Sequence, residues 1–257
     1  MAIFMIHEEP IHTYYKTIIE FDLLSRKSIT DSKTVLAINL NIILSSTCLI
    51  EGVLEDRAKL LLGYYRELYN TLDITDIEIR KPMNTFYNKF EEFLNSRISQ
   101  TSGLGNYCEL FELLTDDSIK KDNDIRPLIE GINVLFQLRN VIAHGRQVHM
   151  YEVDAYYTCG IEEVFLGGYK KAEDYLIKKK IISQRFKEAE NPDIYFTNEV
   201  ADHFYNVTKD FLNAVDSFIK KHIIIGSVIK SNWDSYNKKN KTDYTLYDYL
   251  RMRGMRV

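Results

Sequence analysis

The sequence predicts a mostly α protein, an up-and-down helical bundle carrying a small inserted β-hairpin plus a helix. Three observations lead there. Only four prolines and eleven glycines punctuate 257 residues, whereas a sandwich of short strands needs frequent turn residues. The long stretches between them repeat apolar residues at three-and-four spacing, as a helix with one buried face does. A hydrophobic fraction of 45% beside 27% charged residues is that of an ordinary soluble chain able to bury a core.

In chain order, residues 14 to 24 give a short helix, and the polar run SRKSITDSK separates it from the next. Asp31 or Ser32 can cap that second helix, because a short side-chain oxygen accepts from the first free amides of a helix. From Thr34 the apolar pattern runs to Leu72 as two long helices or one interrupted helix. Gly52 and Gly63 each weaken it by about 1 kcal/mol relative to alanine. Phe86, Phe90, Phe93 and Leu94 mark a helix over 83 to 98, followed by a loop, SQTSGLGN, a short helix, YCELFELLT, and a charged loop, DDSIKKDNDI. Pro127 sits where a first-turn proline belongs and opens a helix from Arg126 to His144, which Gly145 closes. The period then changes. QVHMYEVDAYY and IEEVFLGG read as the two strands of a hairpin, and YKKAEDYLIKKKII returns to helix. Thr197 or Asn198 caps a last long helix whose Val200, Phe204, Val207, Phe211, Val215 and Phe218 share a face. The expected organisation is one helical domain over 1–226, with an insertion at about 146–195, and a polar, tyrosine-rich C-terminal tail over 227–257.

Composition narrows the function classes. With 33 basic and 37 acidic residues the net charge is -4, so nothing attracts nucleic acid globally and any such binding rests on local patches. Cys48, Cys108 and Cys159 form no C-x-x-C pair and fit free thiols in a reducing cytosol. The N-terminus has no basic stretch before its short apolar run, unlike a signal peptide. The most apolar window, Val35 to Ile50, contains Asn39, Asn41, Ser45, Ser46 and Thr47 and is short of the ~20 residues of an untilted span. It reads as a buried core helix, so the expected location is cytoplasmic, away from membranes. For Asn39, Ser45 and Ser46 the expected role is hydrogen bonding between helices. His7, His12, His203 and His222 read as surface or half-buried residues. His149 lies five residues beyond His144 with nothing nearby to complete a ligand set, so neither a metal nor a cofactor is expected.

The helix ending at His144 is the informative one. At about 100° per residue, Val134, Leu138, Val141 and Ile142 occupy one arc, with Leu135 at its edge, as a core face. Phe136, Arg139, Asn140 and Ala143 fall opposite, a second face that needs another neighbour, and a second copy of the chain is the commonest one. Arg139 and His144 diverge by about 140° on an ideal helix, so they meet more easily across two copies than within one. The end of a helix also favours a protonated imidazole.

The run Arg139-Asn140-Val141-Ile142-Ala143-His144 resembles the R-x4-6-H motif of the HEPN superfamily, and the surrounding LRNVIAHG resembles that family's usual wording. The likeness covers Thr34 to Leu72, Arg126 to Gly145 and Thr197 to Ile224, and the hairpin with its helix resembles an embellishment of larger members. The resemblance implies a helical bundle and a metal-independent endoribonuclease of toxin–antitoxin, abortive-infection or antiphage systems. It maps Arg139, Asn140 and His144 to the catalytic positions. Cleavage without a metal needs a base for the 2′-hydroxyl, an acid for the leaving 5′-oxygen and donors for the crowded phosphate. Two copies of His144 and Arg139 in one homodimer cleft supply all of these. Some relatives carry a tyrosine two residues after the histidine as a modification point for an antitoxin; here that residue is Arg146. An antitoxin or sensor protein is nevertheless an expected partner beside RNA.

Two readings remain open for Glu51: it orients Arg139, as an acidic residue does in some relatives, or it is a solvated helix-surface carboxylate. Arg146, Tyr169, Lys170, Lys171, Lys178, Lys179 and Lys180 are candidate RNA contacts near the motif, with Tyr156 and Tyr157 as further stacking partners. The alternative to an enzyme is a catalytically silent HEPN-like module that only dimerises or binds RNA or a protein.

Overall fold

The computed structural model describes residues 11–70, 77–143, 167–183, 196–223 and 227–254. Nine α-helices succeed one another in these residues: α1 (Ile11–Ser25), α2 (Ser32–Asn70), α3 (Ile77–Gln100), α4 (Leu104–Thr115), α5 (Ile129–Ala143), α6 (Gly167–Lys178), α7 (Asn198–His222), α8 (Ser227–Asn240) and α9 (Leu246–Gly254). Single 3-10 turns lie at Arg26–Ser28 and Ile119–Lys121. The protein is therefore mostly α with helical-bundle character, and no strand occurs among the described residues. The hairpin expected over 147–168 lies outside them except for Gly167 and Gly168, which begin α6 instead of ending a strand.

Local chemistry sets several boundaries where the sequence places them. Asp31 Oδ2 accepts from the Thr34 amide at 2.8 Å and starts α2, and Thr197 Oγ1 accepts from the Val200 amide at 3.4 Å at the head of α7. Other boundaries differ. α2 is one continuous helix of 39 residues, uninterrupted by Gly52 or Gly63. Burial of Leu49, Ile50, Val53, Leu54, Leu60, Leu61 and Leu62 around those glycines outweighs their roughly 1 kcal/mol propensity deficits. Pro127 lies in the turn ahead of α5, outside its first helical turn. α4 starts at Leu104, directly after Gly103 with φ 77°, a left-handed conformation that glycine adopts without strain.

The chain divides into two compact units, Met1–Gly52 with Pro127–Leu212, and Val53–Arg126 with Asn213–Val257. α8 and α9 bury Ile229, Tyr249 and Leu250 and so take part in the core of the second unit.

The first unit has a core of Ile19, Ile42, Ile43, Ile50, Ile132, Leu135, Leu138, Leu176, Phe204 and Phe211. A buried polar cluster fixes its register. The Arg26 guanidinium donates to Asn39 Oδ1 and to Asp202 Oδ1, both at 2.7 Å. The Asn39 amide donates to the Phe196 carbonyl at 2.7 Å and to Asn198 Oδ1 at 3.0 Å. The interhelical role expected of Asn39 is thus met. Ser46 differs: its buried hydroxyl has no hydrogen-bond partner among the described residues. Gly131 lets α5 lie against α6, since a Cβ there would run into the Tyr175 hydroxyl and Val207. That hydroxyl meets His203 Nε2 at 2.9 Å. Burial, aided by Glu130, pushes the Tyr175 phenol up to about 12. Burial and the Lys179 charge lower His203 below its ordinary 6.5.

The second unit buries Leu54, Leu61, Leu62, Phe111, Ile119, Ile125, Val215, Phe218 and Leu250. Here α9 is tied to α2 by charge. Glu67, only 2% exposed, accepts from Arg253 Nε at 2.6 Å, Tyr249 OH at 2.9 Å and Asn232 Nδ2 at 3.2 Å. Asp56 pairs with Arg57 at 2.6 Å and with Arg251 at 2.8 Å.

These contacts carry two testable consequences. Arg253→Ala leaves the buried Glu67 carboxylate short of its charged partner and lowers unfolding free energy by about 2 kcal/mol in a denaturant titration. The lowered His203 means that the unfolded chain takes up that proton first. Its contribution to stability is full above pH ~6.5 and is lost as the pH falls through the lower folded value. Melting temperatures measured from pH 7.5 down to pH 5 fall more steeply for the parent chain than for His203→Gln.

Candidate functional site

α5 carries the site, and its buried face is close to the predicted one. Leu135 and Leu138 are fully buried, and Val134 and Val141 nearly so. Ile142, expected in the core, is half-buried, and Asn140 and Ala143 are exposed. Phe136 departs from expectation: it is buried, although the helical wheel sets it with Arg139 on the outer face. The Arg139 guanidinium supplies the reason, lying 5.4 Å above the Phe136 ring, one turn back along the helix, and covering it.

Arg139 Nη2 donates to Glu51 Oε1 at 3.3 Å, with 30% of the arginine side chain and 25% of the glutamate side chain exposed. The half-buried Glu51 carboxylate thus lies against the Arg139 guanidinium. A pair this exposed contributes at most about 1 kcal/mol to stability. Arg139 Nε is buried and has no hydrogen-bond partner among the described residues. The guanidinium is thus anchored at one nitrogen, and the exposed part of the side chain faces solvent. Planar, permanently charged donors in a fork suit a phosphate.

Next to Glu51, Gly52 faces α1. A Cβ at Gly52 would lie 2.8 Å from the Cβ of His12, so the absence of a side chain is what lets α1 approach. The sequence marks His12 only as a surface or half-buried residue, and it is half-buried. Its position one residue from Glu51 is visible only in the fold. The sequence carries one indirect signal: a glycine inside a long helix, directly after a candidate site residue.

The remaining candidates divide by place. His144 and Arg146 lie outside the described residues. Tyr169 and Lys170 fall in α6, described there by backbone alone. Lys171, Lys178, Lys179 and Lys180 are exposed. Lys178 pairs with Glu130 in the first turn of α5 at 2.9 Å, and Lys179 lies 5.8 Å above the Tyr175 ring. Arg139 stands about 13 Å further along α5 from Glu130. Lys178 and Lys179 therefore lie toward the opposite end of α5 from Arg139, a separation that sequence proximity concealed.

Among the described residues, no group of three or more His, Cys, Asp or Glu side chains comes together as a metal site. Cys108 is buried, which pushes its thiol up to about 11 and leaves it unreactive near neutral pH. α2 is long and apolar enough to cross a membrane by length and composition, and 44% of its most apolar window is buried inside the structure. No family model, curated protein or solved structure matches the chain.

Gly52→Ala tests the α1 contact. It gains about 1 kcal/mol of helix propensity, yet the Cβ clash with His12 makes the net change destabilising by about 1–2 kcal/mol. A chemical-denaturation midpoint above that of the parent would show that α1 does not sit there.

Proposed function

We propose that the protein is a HEPN-type, metal-independent endoribonuclease, acting in the cytoplasm within a toxin–antitoxin, abortive-infection or antiphage defence system. The observation that carries this reading is the Glu51–Arg139 pair at 3.3 Å near the C-terminal end of α5, five residues before the histidine that completes RNVIAH. Glu51 holds the guanidinium near the end of the helix after which His144 follows in sequence, so Arg139 could bind the phosphate on which the histidines of two copies are proposed to act. In the proposed step, a His144 imidazole takes the proton from the 2′-hydroxyl. The 2′-oxygen then attacks phosphorus, and the bond to the 5′-oxygen breaks as a second His144 protonates it. Arg139 holds the non-bridging oxygens as charge builds. The products are a 2′,3′-cyclic phosphate and a 5′-hydroxyl. Because one imidazole cannot be acid and base at once, the reading calls for a homodimer with two motifs in one cleft. An antitoxin or sensor protein would control it.

A silent module that only dimerises or binds a partner is the second reading. The same pair favours it, since a guanidinium held by Glu51 and stacked on Phe136 also serves packing alone.

Incubation with structured and unstructured RNA in excess chelator separates the two. The parent chain is expected to cleave, with Arg139→Ala and His144→Ala reduced at least about 100-fold while their helical circular dichroism is retained. Glu51→Gln is expected to lose less, with the loss in kcat rather than KM. Undiminished cleavage by both alanine variants overturns the site, and no cleavage by any form favours the silent module.

A further inference from the structure

The proposed composite site needs two chains held together, and the face of α5 contributes little toward that. Its exposed residues in the described structure are Glu130, Asn133, Asn140 and Ala143, none of them a large apolar group. In the first unit, the large apolar side chains that remain exposed among the described residues all lie on α1: Tyr14 at 57%, Ile18 at 40%, Phe21 at 68% and Leu24 at 65%. They recur at intervals of four, three and three, so they form one stripe on one side of the helix, while Ile19 on the other side is fully buried. Solitary exposed apolar residues are ordinary, whereas a contiguous stripe marks a contact surface.

We propose that this stripe pairs with the same stripe of a second copy of the chain, antiparallel, and so supplies the apolar contact of the homodimer. The inference rests on the composite-site reading above for its purpose, and on α1 for its geometry. Two observations favour a second copy over other occupants. The stripe is self-complementary. About a two-fold axis near residue 19, Tyr14 of one copy lies opposite Leu24 of the other and Ile18 opposite Phe21, so every layer joins an aromatic ring to a branched aliphatic chain. Covering it on both copies removes about 900 Å² from water, the size of a weak, reversible contact, and Thr13 and Thr17 form its rim.

Charge argues against a membrane or nucleic acid as the occupant. α1 carries one lysine, Lys16, against Glu20 and Asp22, and Lys16 is already 3.9 Å from Glu20. Helices that bind anionic lipid or phosphate present several Lys or Arg residues.

The test uses the full chain, with Ile18→Glu and Phe21→Lys as separate variants. Both sites are exposed, and retained helical signal and thermal unfolding verify the fold. In sedimentation velocity at micromolar concentration the parent is expected to be a dimer, and each variant is expected to associate at least about 100-fold more weakly. Mixing the two variants restores a dimer, because the new carboxylate and ammonium face each other across the antiparallel pair. A monomeric parent overturns the proposal, as does a parent that binds phosphatidylcholine vesicles without self-associating. Variants that stay dimeric also overturn it, and leave the composite site standing on some other interface. Monomeric variants that fail to recombine overturn the antiparallel pairing. If Phe21→Lys is monomeric and cleaves RNA as fast per chain as the parent, the α1 interface stands and the composite site fails.

Discussion

The charged and amide groups buried along α2 must be satisfied by partners, and those partners come from far along the chain. Asn39 is met by Phe196 and Asn198, and Glu67 by Asn232, Tyr249 and Arg253. Apolar burial drives collapse without specifying direction. A buried carboxylate or amide tolerates few arrangements, because leaving it unpaired costs several kcal/mol. Within each unit these contacts therefore set which helix lies beside α2 and at which level. They also explain why the C-terminal residues fold. Arg251 and Arg253 close the electrostatic shells of Asp56 and Glu67, and Trp233 Nε1 and the Asn237 amide both donate to the Tyr244 carbonyl, holding the turn before α9.

Close approach is the second constraint in the first unit, and glycine enables it twice. Gly131 admits the Tyr175 hydroxyl and Gly52 admits His12. Each glycine sits inside a helix, where alanine would be favoured by about 1 kcal/mol. The helices accept that deficit because packing against a neighbour stabilises them more than propensity does. The contact at Gly52 matters for the site, since it brings a third helix to the place where α2 and α5 are joined by Glu51 and Arg139.

The chemistry of Arg139 is set by incomplete satisfaction. Glu51 holds one nitrogen, the Phe136 ring supports one face, and part of the side chain remains open to solvent. A fully paired guanidinium would be structural only, and a free one would be too mobile to place a phosphate. Its mounting near the C-terminal end of α5 would give the proposed site the fixed geometry that electrostatic stabilisation of a transition state requires.

Helix type and several helix starts are legible in the sequence because they depend on neighbours within a few residues. Three-and-four periodicity predicts the helices, and the side chains of Asp31 and Thr197 cap the ones they precede. The RNVIAH run stands out for the same reason, as a local pattern in which polar residues occupy one face of an apolar helix. The sequence leaves open what only contacts across the chain can decide. Whether α2 breaks at Gly52 depends on packing against α1, and whether Glu51 is solvated depends on an arginine 88 residues away. Phe136 is buried although it shares the outer face with Arg139, whose guanidinium covers its ring, and Lys178 pairs with Glu130 at the far end of α5. Periodicity reports which side of a helix is apolar. Which helix covers that side, and which charge faces which, is fixed only when the folded chain has satisfied its buried groups together.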